Sequence, residues 1–163
     1  MKYPYEAYLD IETTGLSRYY DDITVVGIYL ARDANHKLIQ LVGNDVTASN
    51  ILAILEKADK IFTYNGSRFD LPFIEYRLGV SLESLFTHCD LMYDCWRKNL
   101  RGGFKAVERQ LDIPRKLTGI DGFEAVRLWW RYVNDGDRNA LALLLKYNEE
   151  DVKNLKTLKE KLY

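Results

Sequence analysis

The sequence is poor in cysteine, contains no long apolar run and carries almost no net charge. Its two cysteines, Cys89 and Cys95, are too few for a disulfide framework, and no Cys-x-x-Cys pair or Cys/His cluster indicates a zinc site. The longest apolar stretches fall well short of the ~20 residues that span a bilayer. Pro4 and Glu6 interrupt the apolar core that a secretory signal would need. We therefore expect a cytoplasmic protein with no membrane contact.

The near-zero net charge excludes fewer functions than the scarcity of cysteine and the lack of long apolar runs do. Twenty-three Lys and Arg side chains against 24 Asp and Glu give a net charge of -1, so no global positive field indicates nucleic acid. A nuclease that binds metal ions nevertheless concentrates carboxylates at its site, and these can cancel basic residues elsewhere. Nucleic acid therefore remains open as a partner.

The order of the predicted elements indicates a single α/β domain over residues 1–163. Strands are predicted at residues 7–11, 23–30 and 37–42, where short connections favour an antiparallel meander, and then at 61–64 and 86–91. Helices are predicted at residues 48–58 with Thr47 as the cap, at 68–78 with Gly79 as the end, at 123–133, and from Asp137 to the carboxyl terminus. We expect a mixed central sheet of about five strands, flanked by helices, with the first strand at its centre.

Two carboxylates lie close together on the first predicted strand. Asp10 and Glu12 occupy positions i and i+2, so both side chains leave the same face with Cα atoms ~6.6 Å apart. Two like charges at this spacing require a cation, and hard oxygen ligands suit Mg²⁺ or Mn²⁺. An Asp-x-Glu pair occurs by chance about once in this composition, so a solvated strand end is the alternative.

A third carboxylate stands where a strand gives way to a helix. Asn65 is followed four residues later by Phe69 and Asp70, a pattern with only about 0.03 chance occurrences in this composition. The spacing predicts that Asp70 projects from the first helical turn near the carboxyl end of the strand, where open α/β sheets place their sites. A first-turn Asp favoured by the helix dipole is the alternative.

A tyrosine and a fourth carboxylate share one face of the last predicted helix. Tyr147 and Asp151 are four residues apart, which places their Cβ atoms ~5 to 6 Å from each other. A phenol and a carboxylate in this arrangement can hold a water molecule beside a metal ion. The second Tyr-x-x-x-Asp match, from Tyr29 to Asp33, lies on a predicted strand, where such residues are ~13 Å apart, and is discarded.

Together the three motifs resemble those of a known group of enzymes. The segments 9–16, 65–70 and 147–151 look like motifs I, II and III of the DEDD exonucleases, in the tyrosine-bearing DEDDy branch. Residues 104–113 and 122–129 further resemble the YprB-like ribonuclease H-like exonuclease subfamily. The motifs span nearly the whole chain in the order of the family. The resemblance implies the ribonuclease H-like fold of DnaQ-like exonucleases.

The resemblance also implies an activity and two divalent metal ions, Mg²⁺ or Mn²⁺, as cofactors. The activity is hydrolysis of phosphodiester bonds from the 3′ end of single-stranded nucleic acid. By analogy with the family, Asp10 bridges the metal ions, Glu12 and Asp151 complete one site, and Asp70 serves the other. Tyr147 orients the attacking water rather than deprotonating it, because a phenol with a pKa near ~10 is a poor base at neutral pH.

The substrate contacts follow from the same resemblance. Thr13, Thr14 and Leu16 match positions that meet the terminal nucleotide, and Asn65 and Phe69 are expected to line the same groove.

A basic run near Gly102 and Gly103 lies outside these motifs and has two interpretations. It is either a phosphate-contacting surface or a set of ordinary solvated helix faces, and it comprises Arg97, Lys98, Arg101 and Lys105.

Several alternatives stay open at this stage. An RNA-directed exonuclease or an endonuclease could use the same fold, and a non-catalytic nucleic-acid-binding module could keep it. We favour single-stranded DNA, although discrimination of the 2′-hydroxyl group depends on groove shape. The sequence shows no polymerase or helicase domain, so proofreading would require a separate replication or repair partner. Self-association could increase affinity for the substrate, so a homo-oligomer is also open.

Overall fold

A mixed five-stranded sheet forms the centre of the protein. The computed structural model describes residues 4–163. The strands are β1 (Tyr5–Thr13), β2 (Ile23–Arg32), β3 (Asn35–Val42), β4 (Ala58–Thr63) and β5 (Thr87–Asp90). They are arranged in the order β3-β2-β1-β4-β5, in which β1 to β3 pair antiparallel and β4 and β5 run parallel to β1. The predicted meander and the central position of β1 are confirmed.

Helices cover both faces of the sheet. The described residues form α1 (Ala48–Leu55), α2 (Asp70–Leu78), α3 (Leu82–Leu85), α4 (Leu91–Arg97), α5 (Phe104–Gln110), α6 (Gly122–Asp135) and α7 (Arg138–Leu162). None of these helices in residues 4–163 combines the length and apolar character needed to cross a membrane.

The predicted helix ends at Thr47 and Gly79 are correct because a cap defines each, whereas the predicted end at residue 58 is wrong because the sheet competes for it. Thr47 caps α1 by accepting a hydrogen bond from the backbone of Asn50 at 3.1 Å, and Gly79 ends α2 with a φ of 74°. The prediction that the first helix continues to residue 58 is wrong, because α1 ends at Leu55 and Ala58 pairs with Tyr5 of β1. Sheet pairing outweighs helix propensity at this junction.

The alternation of side chains along β1 sends its carboxylates toward α7. Leu9 and Ile11 lie on one face of the sheet in a buried cluster with residues of α1 and α2. Tyr8 lies on the other face, in a cluster with residues of α4, α5 and α7. Because successive strand residues point to opposite faces, Asp10 and Glu12 share the face of Tyr8. The site therefore forms between β1 and α7.

The carboxyl end of β1 departs from regular pairing. Glu12 pairs with Val25, whereas Thr13 pairs with Ile23, so β2 carries one extra residue opposite β1 at this point. Bulges of this kind bend a strand and increase its local twist, and they occur often beside active sites. The irregularity lies directly beside the carboxylate of Glu12.

Candidate active site

Three carboxylates from two elements converge on one point. Asp10 and Glu12 come from β1 and Asp151 from α7, and one oxygen of each can be chosen so that all three lie within 4.8 Å of one another. Asp10 and Asp151 line an open cleft of about 450 Å³, together with Tyr147 and residues of α5. Oxygen donors packed this closely suit a hard divalent cation, and the residues present therefore fit the metal ions that the sequence motifs imply.

The electrostatics of the cluster also favour a cation. Burial, together with the charges of Asp151 and Glu12, raises the pKa of Asp10 well above its ordinary value. Burial and the charge of Asp151 likewise raise the pKa of Glu12. The ionised forms are therefore penalised until a positive charge enters. A bound divalent cation would reverse this penalty and release the protons that it displaces.

Asp70 lies beside this cluster but is anchored to the strand. It occupies the first turn of α2, is only 4% exposed, and its Oδ2 accepts a hydrogen bond from the backbone of Ile11 at 3.0 Å. Burial raises the pKa of Asp70 to about 7, although the bond from Ile11 acts in the opposite direction. Asp70 does not belong to the group of three oxygens within 4.8 Å, yet its charge raises the pKa values of Asp10 and Glu12. Asp70 thus contributes to the electrostatics of the cluster without joining the group of three oxygens.

Tyr147 lies on α7 one turn before Asp151 and is held by a lysine. Its hydroxyl oxygen accepts a hydrogen bond from Nζ of Lys105 at 2.5 Å. Burial and the charges of Asp151 and Glu12 raise the pKa of Tyr147 above its ordinary range. The phenol therefore stays protonated at neutral pH, and its own hydrogen remains available for donation because the lysine occupies an oxygen lone pair.

Asp151 is also bound by an arginine that the sequence analysis missed. Nη2 of Arg115, in the segment between α5 and α6, donates to Oδ1 of Asp151 at 2.7 Å. The same guanidinium forms two bonds with Glu108, at 3.0 Å from Nε and 2.9 Å from Nη2, and Asn154 donates to Glu108 at 2.6 Å. Burial raises the pKa of Asp151, and the charge of Arg115 opposes that shift. Nothing in the spacing of these residues signals the network.

Asn148, a fully buried residue, ties α7 to β1. Its Nδ2 donates to the backbone oxygen of Asp10 at 3.2 Å and to Oδ2 of Asp10 at 3.3 Å, while its Oδ1 accepts from Gln40 at 3.0 Å. A Cβ at Gly27 would lie 2.0 Å from Oδ1 of Asn148, so only glycine leaves room for this amide. An isolated glycine inside an apolar strand is the available sequence signal, since such residues often mark a close approach.

The predicted substrate residues lie at the end of β1 and in the two loops that follow β1 and β4. At the first loop, the hydroxyl group of Thr13 donates to the backbone of Gly15 at 2.6 Å, and the backbone of Thr14 donates to Asp22 at 2.9 Å. Leu16, in the same loop, is 88% exposed. Because β1 and β4 are parallel, their carboxyl ends meet at one edge of the sheet. The two loops therefore border the same region.

The second loop is fixed by Asp90, whose role the sequence analysis missed. The carboxylate of Asp90 accepts hydrogen bonds from the backbones of Asn65 at 2.8 Å and Ser67 at 3.2 Å. Asn65 adopts a left-handed φ of 61°, and its Oδ1 is buried without a hydrogen-bond partner among the described residues. Phe69 packs edge-on against Phe73, with ring centroids 5.5 Å apart. Oδ1 of Asn65 is therefore a buried acceptor without a partner among the described residues.

Comparisons with known proteins agree with this architecture. The chain is 25% identical over 173 residues to the uncharacterized protein YprB of Bacillus subtilis, an alignment that covers 93% of this chain and 40% of YprB. It thus spans less than half the length of that relative. Its fold is similar to the family B DNA polymerase of Pyrobaculum calidifontis, with a TM-score of 0.73 at 16% identity over 98% of this chain and 24% of the polymerase. Brucella melitensis NrnC with bound Mg²⁺ gives a TM-score of 0.64 at 21% identity, over 96% of this chain and 71% of NrnC.

The family assignment rests on a match over almost the entire chain. The family model of the RNase H superfamily matches residues 7–163, which include all of the sheet except the first two residues of β1, and both helices that carry carboxylates of the site. The chain therefore belongs to the RNase H superfamily.

Proposed function

We propose that the protein is a metal-dependent 3′ to 5′ exonuclease of the DEDDy type, which hydrolyses single-stranded nucleic acid. The observation that carries this proposal is the convergence of Asp10, Glu12 and Asp151, with Asp70 beside them and Tyr147 above the same cleft. Exonuclease chemistry needs two hard cations at one phosphate, and four carboxylates supply the ligands. DNA is the favoured substrate, and RNA is the alternative that the assay below distinguishes.

Each carboxylate has a distinct part in holding the metal ions. Asp10 would serve both ions, Glu12 and Asp151 would complete one site, and Asp70 would serve the other. When bound, two such ions activate water and stabilise the negative charge that develops on the phosphate. Asn148 fixes the orientation of Asp10 through its bond to Oδ2, and Arg115 fixes that of Asp151. The protein thus positions the ligands before the ions arrive.

Tyr147 and Lys105 act directly on the reacting groups in this proposal. Lys105 donates to the oxygen of Tyr147, which leaves the phenolic hydrogen free to bond to the attacking water or to a phosphate oxygen. The raised pKa of Tyr147 excludes a role as a general base at neutral pH. Its contribution is therefore orientation of the nucleophile. The positive charge of Lys105 adds attraction for the substrate phosphate.

The loops at the edge of the sheet would hold the 3′ end of the strand. Leu16 presents an exposed apolar side chain that can wedge against a base, and Thr13 and Thr14 place backbone groups beside it. On the other side, Asn65 and Phe69 lie in one turn, in which the backbone of Phe69 donates to the backbone oxygen of Asn65 at 3.0 Å. Both loops are braced by hydrogen bonds, so they are organised before substrate binds.

The test uses a single-stranded DNA oligonucleotide labelled at its 5′ end. We expect a ladder that shortens stepwise from the 3′ end in Mg²⁺ or Mn²⁺ and no cleavage in EDTA, with RNA and duplex DNA assayed in parallel. Asp10→Asn should abolish cleavage, whereas Asp135→Asn, which changes an exposed carboxylate of α6, should keep the activity of the wild type. Cleavage by Asp10→Asn at the wild-type rate would contradict the metal assignment.

A further inference from the structure

A group of half-buried aromatic side chains and exposed arginines beside the cleft takes no part in the chemistry above. This group, here named the Trp96 surface, consists of Arg68, Tyr93, Trp96 and Arg101. The guanidinium of Arg68 lies 5.3 Å from the ring centroid of Trp96 and 5.8 Å from that of Tyr93. The guanidinium of Arg101 lies 5.8 Å from the ring of Trp96, whose edge-to-face contact with Tyr93 spans 5.3 Å. Cations and ring faces are therefore interleaved on one patch.

The patch is held in place by a buried carboxylate. Asp90 caps α4, which carries Trp96, by accepting a hydrogen bond from the backbone of Met92 at 3.1 Å. The same carboxylate accepts bonds from the backbones of Asn65 and Ser67, in the turn that leads to Arg68. Asp90 thus fixes both α4, which carries Trp96, and the turn that leads to Arg68. A preorganised surface loses less entropy when it binds a ligand.

A continuous strip of residues connects this surface with the catalytic cleft. Tyr64 lines the cleft together with Asp10 and stacks on Phe104 with ring centroids 5.2 Å apart. The hydroxyl group of Tyr64 donates to the backbone oxygen of Gly102 at 2.8 Å, and Gly102 directly follows Arg101. The strip therefore leads from the carboxylates, over the Tyr64 and Phe104 rings, to Trp96.

The strip is positively charged although the whole chain is not. Residues 96–110 contain five cationic side chains and a single carboxylate, Glu108, which is 2% exposed and bonded to Arg115. Arg97 pairs with Asp94 of α4, so the positive charge of this segment comes from the other four cations, whereas the chain as a whole carries -1. Positive charge combined with ring faces is typical of surfaces that bind single-stranded nucleic acid, because phosphates pair with the cations and bases of any sequence stack on the rings.

We propose that the Trp96 surface binds the nucleotides of a single strand that extend beyond the cleft. This inference rests on the proposed function of the cleft. It predicts that binding and cleavage depend on the length of the substrate. A strand of about twelve nucleotides can reach both the carboxylates and the Trp96 surface, whereas a dinucleotide occupies the cleft alone. The enzyme accordingly prefers oligonucleotides of several nucleotides to dinucleotides.

Binding and cleavage are measured for these two lengths. A fluorescent single-stranded DNA of about twelve nucleotides is titrated with protein in EDTA, and kcat/KM is determined for this strand and for a dinucleotide in Mn²⁺. Trp96→Ala should weaken binding of the long strand by roughly 5- to 150-fold, the effect of losing one stacked base, and Trp96→Phe should restore part of it. Arg68→Ala/Arg101→Ala should also lower the slope of log affinity against log salt by about 1.4.

The matched control is Arg127→Ala/Arg131→Ala, which removes two exposed cations from α6. It should leave the long strand bound as in the wild type. For the Trp96 surface variants, kcat/KM should fall at least about fivefold more for the long strand than for the dinucleotide. Equal losses for both lengths, or wild-type binding by both surface variants, would overturn the proposal. Loss of binding in the surface variants of a protein that cleaves neither substrate would support the surface and refute the exonuclease.

Discussion

Replacing Arg115 with methionine removes the cation that Glu108 and Asp151 share. The guanidinium forms three hydrogen bonds of 2.7 to 3.0 Å with these carboxylates. The side chains of Arg115 and Glu108 are only 8% and 3% exposed, so water cannot replace the lost bonds without opening the structure. Loss of one partner from a buried ion pair costs about 3 to 5 kcal/mol. We expect Arg115→Met to lower the free energy of unfolding in EDTA at neutral pH by that amount.

Urea denaturation followed by circular dichroism measures the effect, and two further variants locate its cause. Glu108→Gln/Arg115→Met removes both charges of the most buried pair and should return to within about 2 kcal/mol of the wild type. Arg131→Met breaks an exposed pair with Asp137 and should cost less than about 1 kcal/mol. If Arg115→Met costs under about 1 kcal/mol, or if the double variant is no more stable than the single one, the reasoning from burial is wrong.

The other predictions concern the cleft. Asp10→Asn should raise the free energy of unfolding in EDTA by about 1 to 2 kcal/mol, because burial and neighbouring carboxylates penalise the ionised form, and a lower melting temperature would contradict this. Because burial raises the pKa of Asp70 from 3.8 to about 7, the metal-free protein should lose stability as the pH rises through this interval, and pH-dependent melts of Asp70→Asn should show a weaker decline. Gly27→Ala should cost about 1 to 3 kcal/mol and lower Mn²⁺ affinity in calorimetry, since its Cβ meets Asn148; unchanged affinity would refute the link. Tyr147→Phe should reduce kcat by roughly 100-fold, the cost of a misoriented nucleophile, while Mn²⁺ affinity stays constant, and reduced affinity would show that it acts through the ligands instead.

The sheet could be predicted from the sequence because its signals are local. Because side chains alternate along a strand, Asp10 and Glu12 lie on one face of β1 regardless of its position in the sheet. Short connections favour antiparallel pairing of β1, β2 and β3. The end of α1 could not be predicted in the same way. Ala58 suits a helix, and it joins β4 because the sheet offers it a partner in Tyr5. That partner lies more than fifty residues away in the chain.

The supporting residues of the site could not be predicted because their partners are distant in sequence. Arg115 binds Asp151 across 36 positions, and Asn148 binds Asp10 across 138. These contacts depend on how α7 packs against β1 and on the path of the segment after α5. Neither the packing nor the path can be predicted from the spacing of residues in the sequence. Gly27 carried the only usable signal, a glycine within an otherwise apolar strand.

Arg115 also bears on how a metal ion could enter the cluster. Only Oδ1 of Asp151 accepts a bond from Arg115, and a carboxylate has a second oxygen with free lone pairs. Asp151 can therefore bind a metal ion through that oxygen without releasing Arg115. Asp10 and Glu12 lack such a counterion among the described ion pairs, so their repulsion is the part of the site that a metal ion relieves. Arg115 thus holds the carboxylate of Asp151 on α7 in the metal-free protein, whereas Asp10 and Glu12 of β1, whose pKa values are raised, have no such counterion in the described part of the chain to favour their ionised forms.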